Sequence, residues 1–184
     1  MRLQETLING LVIIQLEMYR DERGFFTERF KTSAFELLGL PTAFVQDNHS
    51  RSQPGVLRGL HYQHSPGQGK LVGVTRGRIW DVVVDLREDS ETFGSYHSME
   101  LSDTNGLLVW IPGGFAHGFY VLGDEPADVV YKTDVEYNAT NESGIIWSDR
   151  EVNIEWPDAS PELSKRDLEL PTFAEYRQNP VRWE

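Results

Sequence analysis

The amino-acid sequence predicts an all-β fold, a sandwich or jelly roll with a few short helices, and two observations lead to that prediction. Segments of strand character recur at short spacing between Leu11 and Thr133. Turn signals such as Gln53-Pro54-Gly55 and Ser65-Pro66-Gly67 separate them and mark tight reversals of the chain. Many short strands with few helices are typical of sandwiches and jelly rolls.

Nine segments have the composition of strands. In chain order they are 11–17, 25–30, 44–49, 57–63, 70–75, 79–86, 107–111, 118–122 and 129–133. The clearest pattern lies in 79–86, where every second residue from Trp80 onward is apolar. This period of two predicts a sheet strand with one wholly apolar face.

One short helix is predicted among the strands. Ser33-Ala34-Phe35-Glu36 has the pattern of a capping box that opens a helix over 34–38, and Gly39 with Pro41 ends it. The tail 156–184 is rich in proline and charge, which predicts a surface meander with helical turns. Since no repeat or linker divides the chain, we expect a single domain over 1–184 with its barrel core at about 11–155.

Composition limits the classes of function. The chain of 184 residues is 39% hydrophobic, which suits a globular protein with a sizeable core, and it has no cysteine for a disulfide or a thiolate metal site. A net charge of −12 predicts that neither nucleic acid nor an anionic membrane is a partner, because both would be repelled. The N-terminus lacks the basic stretch and long apolar run of a signal peptide, so we expect a cytoplasmic protein.

Polar residues crowd strand positions that a packing strand would fill with apolar ones. They are Gln46, Asn48, Arg58, His61 and Lys70. A buried polar group needs hydrogen-bond partners, which here are either each other or a ligand. These strands are therefore the first candidates for a binding site.

A second block contains Pro112-x-Gly114-x-x-His117, a spacing that resembles the second motif of the cupin β-barrels. A metal-binding cupin would also supply a His-x-His pair and a glutamate from its first half. This chain instead has His61-Tyr62-Gln63 followed by His64, with Lys70 beyond. We therefore expect no metal site.

Five motifs in order resemble the dTDP-4-dehydrorhamnose 3,5-epimerase family. They are Asp21-x-Arg23-Gly24-Phe25-Phe26-x-Glu28, Gln46-Asp47-Asn48-x-Ser50, Arg58-Gly59-Leu60-His61, Gln68-Gly69-Lys70-Leu71-Val72 and Pro112-x-Gly114-Phe115-Ala116-His117-Gly118-Phe119. The resemblance covers about 11–168. It implies a cupin-like jelly roll, a dTDP-4-keto-6-deoxyhexose substrate, no cofactor, and a homodimer that exchanges N-terminal strands.

The resemblance also implies catalytic roles. The family inverts C3 and C5 of the sugar, and both carbons are acidic because each lies beside the C4 ketone. His61 matches the base, and Asp167 the carboxylate that orients it. Lys70 matches the cation at the enolate oxygen, and Tyr131 the acid that returns a proton from the opposite face.

Further positions match residues that bind the sugar or the nucleotide in the family. These are Arg23, Glu28, Gln46, Asp47, Asn48, Arg58, His117 and Glu142. Phe25 and Tyr137 match the aromatic pair that sandwiches thymine. Arg166 stands where the family usually has lysine, and Lys165 precedes it, so the resemblance leaves open which cation reaches the ligand.

The strand 57–63 poses a problem of register. Strict alternation would send Arg58 and His61 to opposite faces, so both cannot enter one pocket. Gly59 lies between them and is a natural bulge site. We therefore predict a backbone irregularity at or beside Gly59.

Three further functions compete with the double epimerase. A related enzyme that inverts only C3 or only C5 would share the same His, Asp and Tyr. A metal-dependent cupin oxygenase or isomerase would need the ligands that are missing here. A non-catalytic sugar-nucleotide binding module would have no need of the full set His61, Lys70, Tyr131 and Asp167.

Overall fold

The computed structural model describes residues 1–4 and 6–184, and it confirms the all-β prediction. The strands are β1 (Arg2–Gln4), β2 (Val12–Gln15), β3 (Tyr19–Asp21), β4 (Gly24–Phe26), β5 (Gln46–Ser52), β6 (Leu57–Gln63), β7 (Lys70–Arg76), β8 (Arg78–Asp85), β9 (Tyr96–Ser102), β10 (Leu107–Ile111), β11 (Phe115–Val121), β12 (Ala127–Thr133) and β13 (Glu142–Gly144). The helices are α1 (Thr32–Leu37), α2 (Lys165–Leu168) and α3 (Phe173–Gln178). None of the described helices has the length and apolar character needed to cross a bilayer.

Two antiparallel sheets form the body of the protein. The six-stranded sheet has the order β1-β2-β10-β7-β12-β5, and the five-stranded sheet has the order β13-β6-β11-β8-β9. Strands β3 and β4 form a separate hairpin. Apart from β1–β2 and β8–β9, neighbouring strands in these two sheets are not consecutive in the chain, so residues far apart in sequence meet in the space that the sheets enclose.

Apolar clusters pack on both faces of each of these two sheets. The main core joins the sheets, with Val72 and Val129 from one and Val83 and Phe119 from the other. The C-terminal segment covers the outer face of the five-stranded sheet, where Phe173 and Tyr176 join a second buried cluster. Phe35 of α1 joins a third cluster on the outer face of the six-stranded sheet, together with Leu71 and Leu108.

The capping box predicted at Ser33 is wrong. Helix α1 begins at Thr32, its N-cap is Lys31, and no side chain caps it. The amides of Ala34 and Phe35 already bond the Lys31 carbonyl at 3.0 Å, so Ser33 lies inside the first turn and is not in the extended conformation that a cap requires. A reciprocal capping box does occur at α3, between Thr172 and Glu175.

Candidate active site

Alternation along the strands places polar side chains between the two sheets. Lys70 shares a face of β7 with the core residue Val72, and Tyr131 shares a face of β12 with Val129. From the facing sheet, His61 and His117 line the same cavity, which has a volume of roughly 540 Å³. That volume lies in the range of small-molecule sites.

The predicted irregularity at Gly59 is confirmed. On β11, His117 is opposite His61 and Phe119 is opposite Arg58, so β6 has one extra residue between the two pairs. Gly59 has φ +126°, and a Cβ there would lie 2.5 Å from the Cα of Gly118. Because the strand bulges at a residue without a side chain, Arg58 and His61 both line the cavity.

His61 and Asp167 form a close pair. The His61 Nε2 lies 2.7 Å from the Asp167 Oδ1, and the carboxylate is buried at 4% exposure. Burial alone would raise the pKa of Asp167, but the hydrogen bond and charge of His61 hold that pKa below its ordinary value. With Nε2–H donating to Asp167, the lone pair of Nδ1 is available to accept a proton.

Asp167 comes from the C-terminal segment, and local bonds fix its position. The Ser164 Oγ caps α2 by accepting the Asp167 amide at 3.1 Å. Just before it, the Glu162 carbonyl accepts the amide of Leu57, the first residue of β6, at 2.9 Å. The segment is thereby fastened beside the strand that carries His61.

Lys70 and Tyr131 lie on the wall opposite His61, since β7 and β12 belong to the six-stranded sheet. Burial lowers the pKa of Lys70 to about 8, while the negative charges of Glu142 and Asp81 act in the opposite direction. Burial and the charge of Glu142 raise the pKa of Tyr131, so its phenol stays protonated at neutral pH. The cavity therefore holds a cation and a proton donor facing an imidazole.

Asp81 is a site residue that sequence reasoning missed. It is fully buried on β8, its Oδ2 lies 2.8 Å from the His117 Nε2, and its Oδ1 has no hydrogen-bond partner among the described residues. The signal in the sequence was its position on the strand, because Asp81 lies two residues before Val83 of the core and so shares its face. A carboxylate on the inward face of a central strand points to a polar cavity.

The rim of the cavity carries a second set of polar residues. The Glu142 Oε2 accepts from the Arg166 Nη1 and from the Tyr137 hydroxyl, each at 2.6 Å. Arg166 lines the cavity, and Lys165 is not among its lining residues. The Arg58 Nε donates to the Ser52 Oγ at 2.8 Å.

The predicted residues of β5 divide between its two faces. The Gln46 Nε2 donates to the Asn48 Oδ1 at 2.8 Å, so these two share a face. Asp47 accepts from the Lys132 Nζ at 3.0 Å, and both Asp47 and Asn48 line a second cavity beside Arg29. Neither Gln46 nor Asn48 is among the lining residues of the cavity that contains His61. Alternation therefore separates Asp47 from His61 within this chain.

The structure does not bring Arg23, Phe25 or Glu28 to the cavity of the same chain. Arg23 bonds Asp21 within the β3–β4 hairpin, and Phe25 is half exposed there. Glu28 follows the hairpin and lies 3.5 Å from the Lys31 Nζ. The described part of the chain contains no cluster of three or more histidine or carboxylate side chains placed to hold a metal ion.

Two facing antiparallel sheets around a polar cavity define the class of cupin-like jelly-roll proteins. A family model described as dTDP-4-dehydrorhamnose 3,5-epimerase matches residues 5–175 of this chain. The enzyme of that name from Shigella flexneri is 49% identical over 177 residues, which cover 95% of this chain and 97% of the relative. The chain therefore belongs to the dTDP-4-dehydrorhamnose 3,5-epimerase family of isomerases.

Solved structures agree with that assignment. The dTDP-6-deoxy-D-glucose-3,5-epimerase of Legionella pneumophila, in complex with dTDP-4-keto-L-rhamnose, is 44% identical with a TM-score of 0.92. The match covers 100% of this chain and 98% of the Legionella chain.

A further sequence relative is a single epimerase. The dTDP-4-dehydrorhamnose 3-epimerase from Streptomyces niveus is 38% identical over 179 residues, which cover 96% of this chain and 86% of the relative. The relatives thus include both a double and a single epimerase.

Proposed function

We propose that this protein is a dTDP-4-dehydro-6-deoxy-D-glucose 3,5-epimerase that gives dTDP-4-dehydro-L-rhamnose without a cofactor. The observation that carries the proposal is the cavity itself. His61, paired with Asp167 of α2, lines it from one sheet, and Lys70 and Tyr131 line it from the other. Inversion of a carbon beside a ketone needs a base on one face of the sugar and an acid on the other.

The first step is proton removal by His61. Its Nδ1 takes the proton from C5 or C3. The electron pair of that C–H bond forms a double bond to C4, and the π pair of the C4 carbonyl moves onto its oxygen. Asp167 stabilises the imidazolium that forms, because its carboxylate is already hydrogen-bonded to Nε2 at 2.7 Å. The product of the step is an enolate.

Lys70 stabilises that enolate. Its ammonium lines the same cavity, where the low dielectric strengthens its attraction for the C4 oxygen. Tyr131 then protonates the carbon from the opposite face. Before the next inversion, the imidazolium of His61 releases its proton to solvent and the phenolate of Tyr131 takes one up from solvent. The raised pKa of Tyr131 keeps the donor form populated between turnovers.

The nucleotide lies at the rim. Arg58 and Arg166 bind the pyrophosphate, because a planar guanidinium makes paired hydrogen bonds with phosphate oxygens. His117 contacts the sugar, and Tyr137 presents a ring at 51% exposure for stacking on thymine. Gln46, Asn48 and Glu142 complete the polar rim.

We further propose a homodimer and a cytoplasmic location. Arg23, Phe25, Glu28 and Asp47 do not line the cavity of their own chain. The exposed β3–β4 hairpin, with Tyr19 at 58% and Phe26 at 66% exposure, suits burial against a second copy. In the dimer, the hairpin delivers Arg23 and Phe25 to the partner's site, and the segment just after it delivers Glu28.

The test of the reaction is proton exchange. The protein is incubated with dTDP-4-keto-6-deoxyglucose in deuterated water, and C3 and C5 are followed by NMR. Deuterium is expected at both carbons, and no incorporation at either would leave only a binding module.

The matched control separates the base from other histidines. His61→Ala is expected to abolish exchange while the fold is retained. His49→Ala removes an imidazole that lies on the outer face beside Asp128, and full activity is expected. Exchange by His61→Ala at the wild-type rate would refute the proposed mechanism.

The second candidate is an epimerase of one carbon. The similarity to the Streptomyces niveus 3-epimerase favours it over a metal-dependent cupin and over a binding module. Deuterium at C3 alone would establish it in place of the double reaction.

A further inference from the structure

The loop 134–141 joins β12 to β13 and carries Tyr137. Residues 136–140 are exposed and lie outside strands and helices. An exposed loop of this kind is ordinarily mobile, because few buried contacts restrain it. The position of the Tyr137 ring therefore depends on what holds the loop backbone.

Glutamine side chains hydrogen-bond to the backbone of four successive loop residues, 135–138. The Gln68 Nε2 donates to the carbonyl of Val135 at 2.8 Å. The Gln63 Nε2 donates to the carbonyl of Glu136 at 3.2 Å, and its Oε1 accepts the amide of Asn138 at 2.8 Å. The Gln46 Oε1 accepts the amide of Tyr137 at 2.8 Å.

The side chain of Gln63 acts as a neighbouring strand would. It bonds the carbonyl before Tyr137 and the amide after it, which is the pattern of a parallel ladder. A primary amide can do so because it offers a donor and an acceptor on one planar group. Gln63 is 3% exposed and Gln68 is 9% exposed, so breaking these bonds would leave buried polar atoms without partners.

Gln63 also ties the loop to the strand of the proposed base. It is the last residue of β6, two residues after His61, and its own carbonyl accepts the amide of Gln68 at 3.3 Å. The loop is consequently fixed relative to the floor of the cavity. These restraints on the loop backbone are neutral amides, and the Tyr137 hydroxyl is held separately by Glu142 at 2.6 Å.

We propose that Gln63 and Gln68 are positioning residues, which hold Tyr137 in place for stacking before the nucleotide arrives. The proposal rests on the proposed function, in which Tyr137 contacts the thymine base. Neither glutamine lines the cavity, so both act through the loop. When the restraint is removed, only part of the population has the ring in place, and the apparent affinity falls by that fraction.

The experiment measures dTDP binding by calorimetry for Gln63→Met, Gln68→Met and a control, Gln178→Met. Methionine keeps the length of the side chain and removes both hydrogen-bonding groups. Gln178 is exposed at the end of α3, far along the chain from the loop. We expect the Kd of Gln63→Met to rise about tenfold, that of Gln68→Met to rise less because one bond is lost, and that of the control to stay unchanged.

A double-mutant cycle distinguishes positioning from a general loss of structure. In a Tyr137→Ala background, Gln63→Met should weaken dTDP binding no further, because the ring that it positions is gone. An equal loss in both backgrounds would overturn the proposal, and so would wild-type affinity in both glutamine variants. In turnover, the effect should fall on KM more than on kcat.

Amide hydrogen exchange tests the same restraint without nucleotide. The Asn138 amide should exchange faster in Gln63→Met than in Gln178→Met, and equal rates would overturn the proposal. If the wild-type protein failed to bind dTDP, the proposed function would fail. The exchange rates would still decide whether the glutamines hold the loop.

Discussion

Two carboxylates, Asp81 and Glu142, act on the charge of Lys70. Burial holds the pKa of Lys70 at about 8, and both carboxylates oppose the effect of burial by stabilising the ammonium. The amine therefore titrates just above neutral pH. The charge of Lys70, on which the proposed stabilisation of the enolate depends, is therefore sensitive to its neighbours.

The pH profile of the reaction should show this titration. Lys70 is cationic below its pKa of about 8 and neutral above it, so activity should fall as the pH rises through that value. At one pH unit above this pKa, kcat/KM is expected to be about tenfold below its plateau. A steady-state profile over the alkaline range checks it, and a flat profile would contradict the role given to the Lys70 charge.

In Asp81→Asn, the fall of kcat/KM at alkaline pH should occur at a lower pH than in wild type. Asparagine can still accept a hydrogen bond from His117, but it removes the negative charge that favours the ammonium of Lys70. The control is Asp128→Asn, which removes a carboxylate that pairs with Arg51 on the outer face. If kcat/KM fell at the same alkaline pH in Asp81→Asn and in wild type, the effect of Asp81 on the pKa of Lys70 would be refuted.

At the level of elements, the sequence predicted the bounds of β6 and β10 to the residue and missed β9. The first two contain dense apolar or motif residues between clear turn signals. Strand β9 is a sheet edge in which Tyr96, His97 and Ser98 mix polar and apolar character, so no clear period appears. Strand β13 has three residues and no pattern of its own.

The sequence predicts the candidate site best where the alternation of a strand decides which side chains face the cavity. Lys70 and Tyr131 lie in step with core valines. The family resemblance assigned Arg58 and His61 to one site, and the conflict of that assignment with strict alternation located the bulge. The contact of Asp167 with His61 spans 106 positions in sequence. No local pattern predicts this contact, because it depends on how the C-terminal segment packs against β6. Only the family resemblance indicated it.

The bulge of β6 makes Gly59 sensitive to substitution. In Gly59→Ala, the new Cβ would lie 2.5 Å from the Cα of Gly118 and 2.9 Å from the carbonyl of His117. We expect the free energy of unfolding to fall by about 3 kcal/mol, from backbone strain and from the clash. Chemical denaturation measures it, and epimerase activity should fall with the displacement of His61.

Gly39→Ala is the control for that change. Gly39 also has a positive φ, of +69°, but a Cβ there meets nothing within 4 Å. It should cost about 1 kcal/mol, the strain alone. Equal losses for the two variants would show that the contact with β11 is unimportant.

At the scale of the whole molecule, the predicted site residues do not all meet within one chain. His61 and Asp167 meet within one chain, whereas Arg23 lies in a hairpin that does not reach the cavity of that chain. If the hairpin serves a partner's site, each active site of a dimer takes its base from one chain and Arg23 from the other. Complementation between inactive variants tests this division.

Mixed dimers of His61→Ala and Arg23→Ala should therefore regain activity. One of their two sites combines the intact His61 of one chain with the intact Arg23 of the other, so an equal mixture is expected to reach about a quarter of wild-type activity. A mixture of His61→Ala with Asp167→Ala is the control and should stay inactive, because both groups belong to one chain. If the first mixture also stayed inactive after verified subunit exchange, Arg23 would act in its own chain or outside the site.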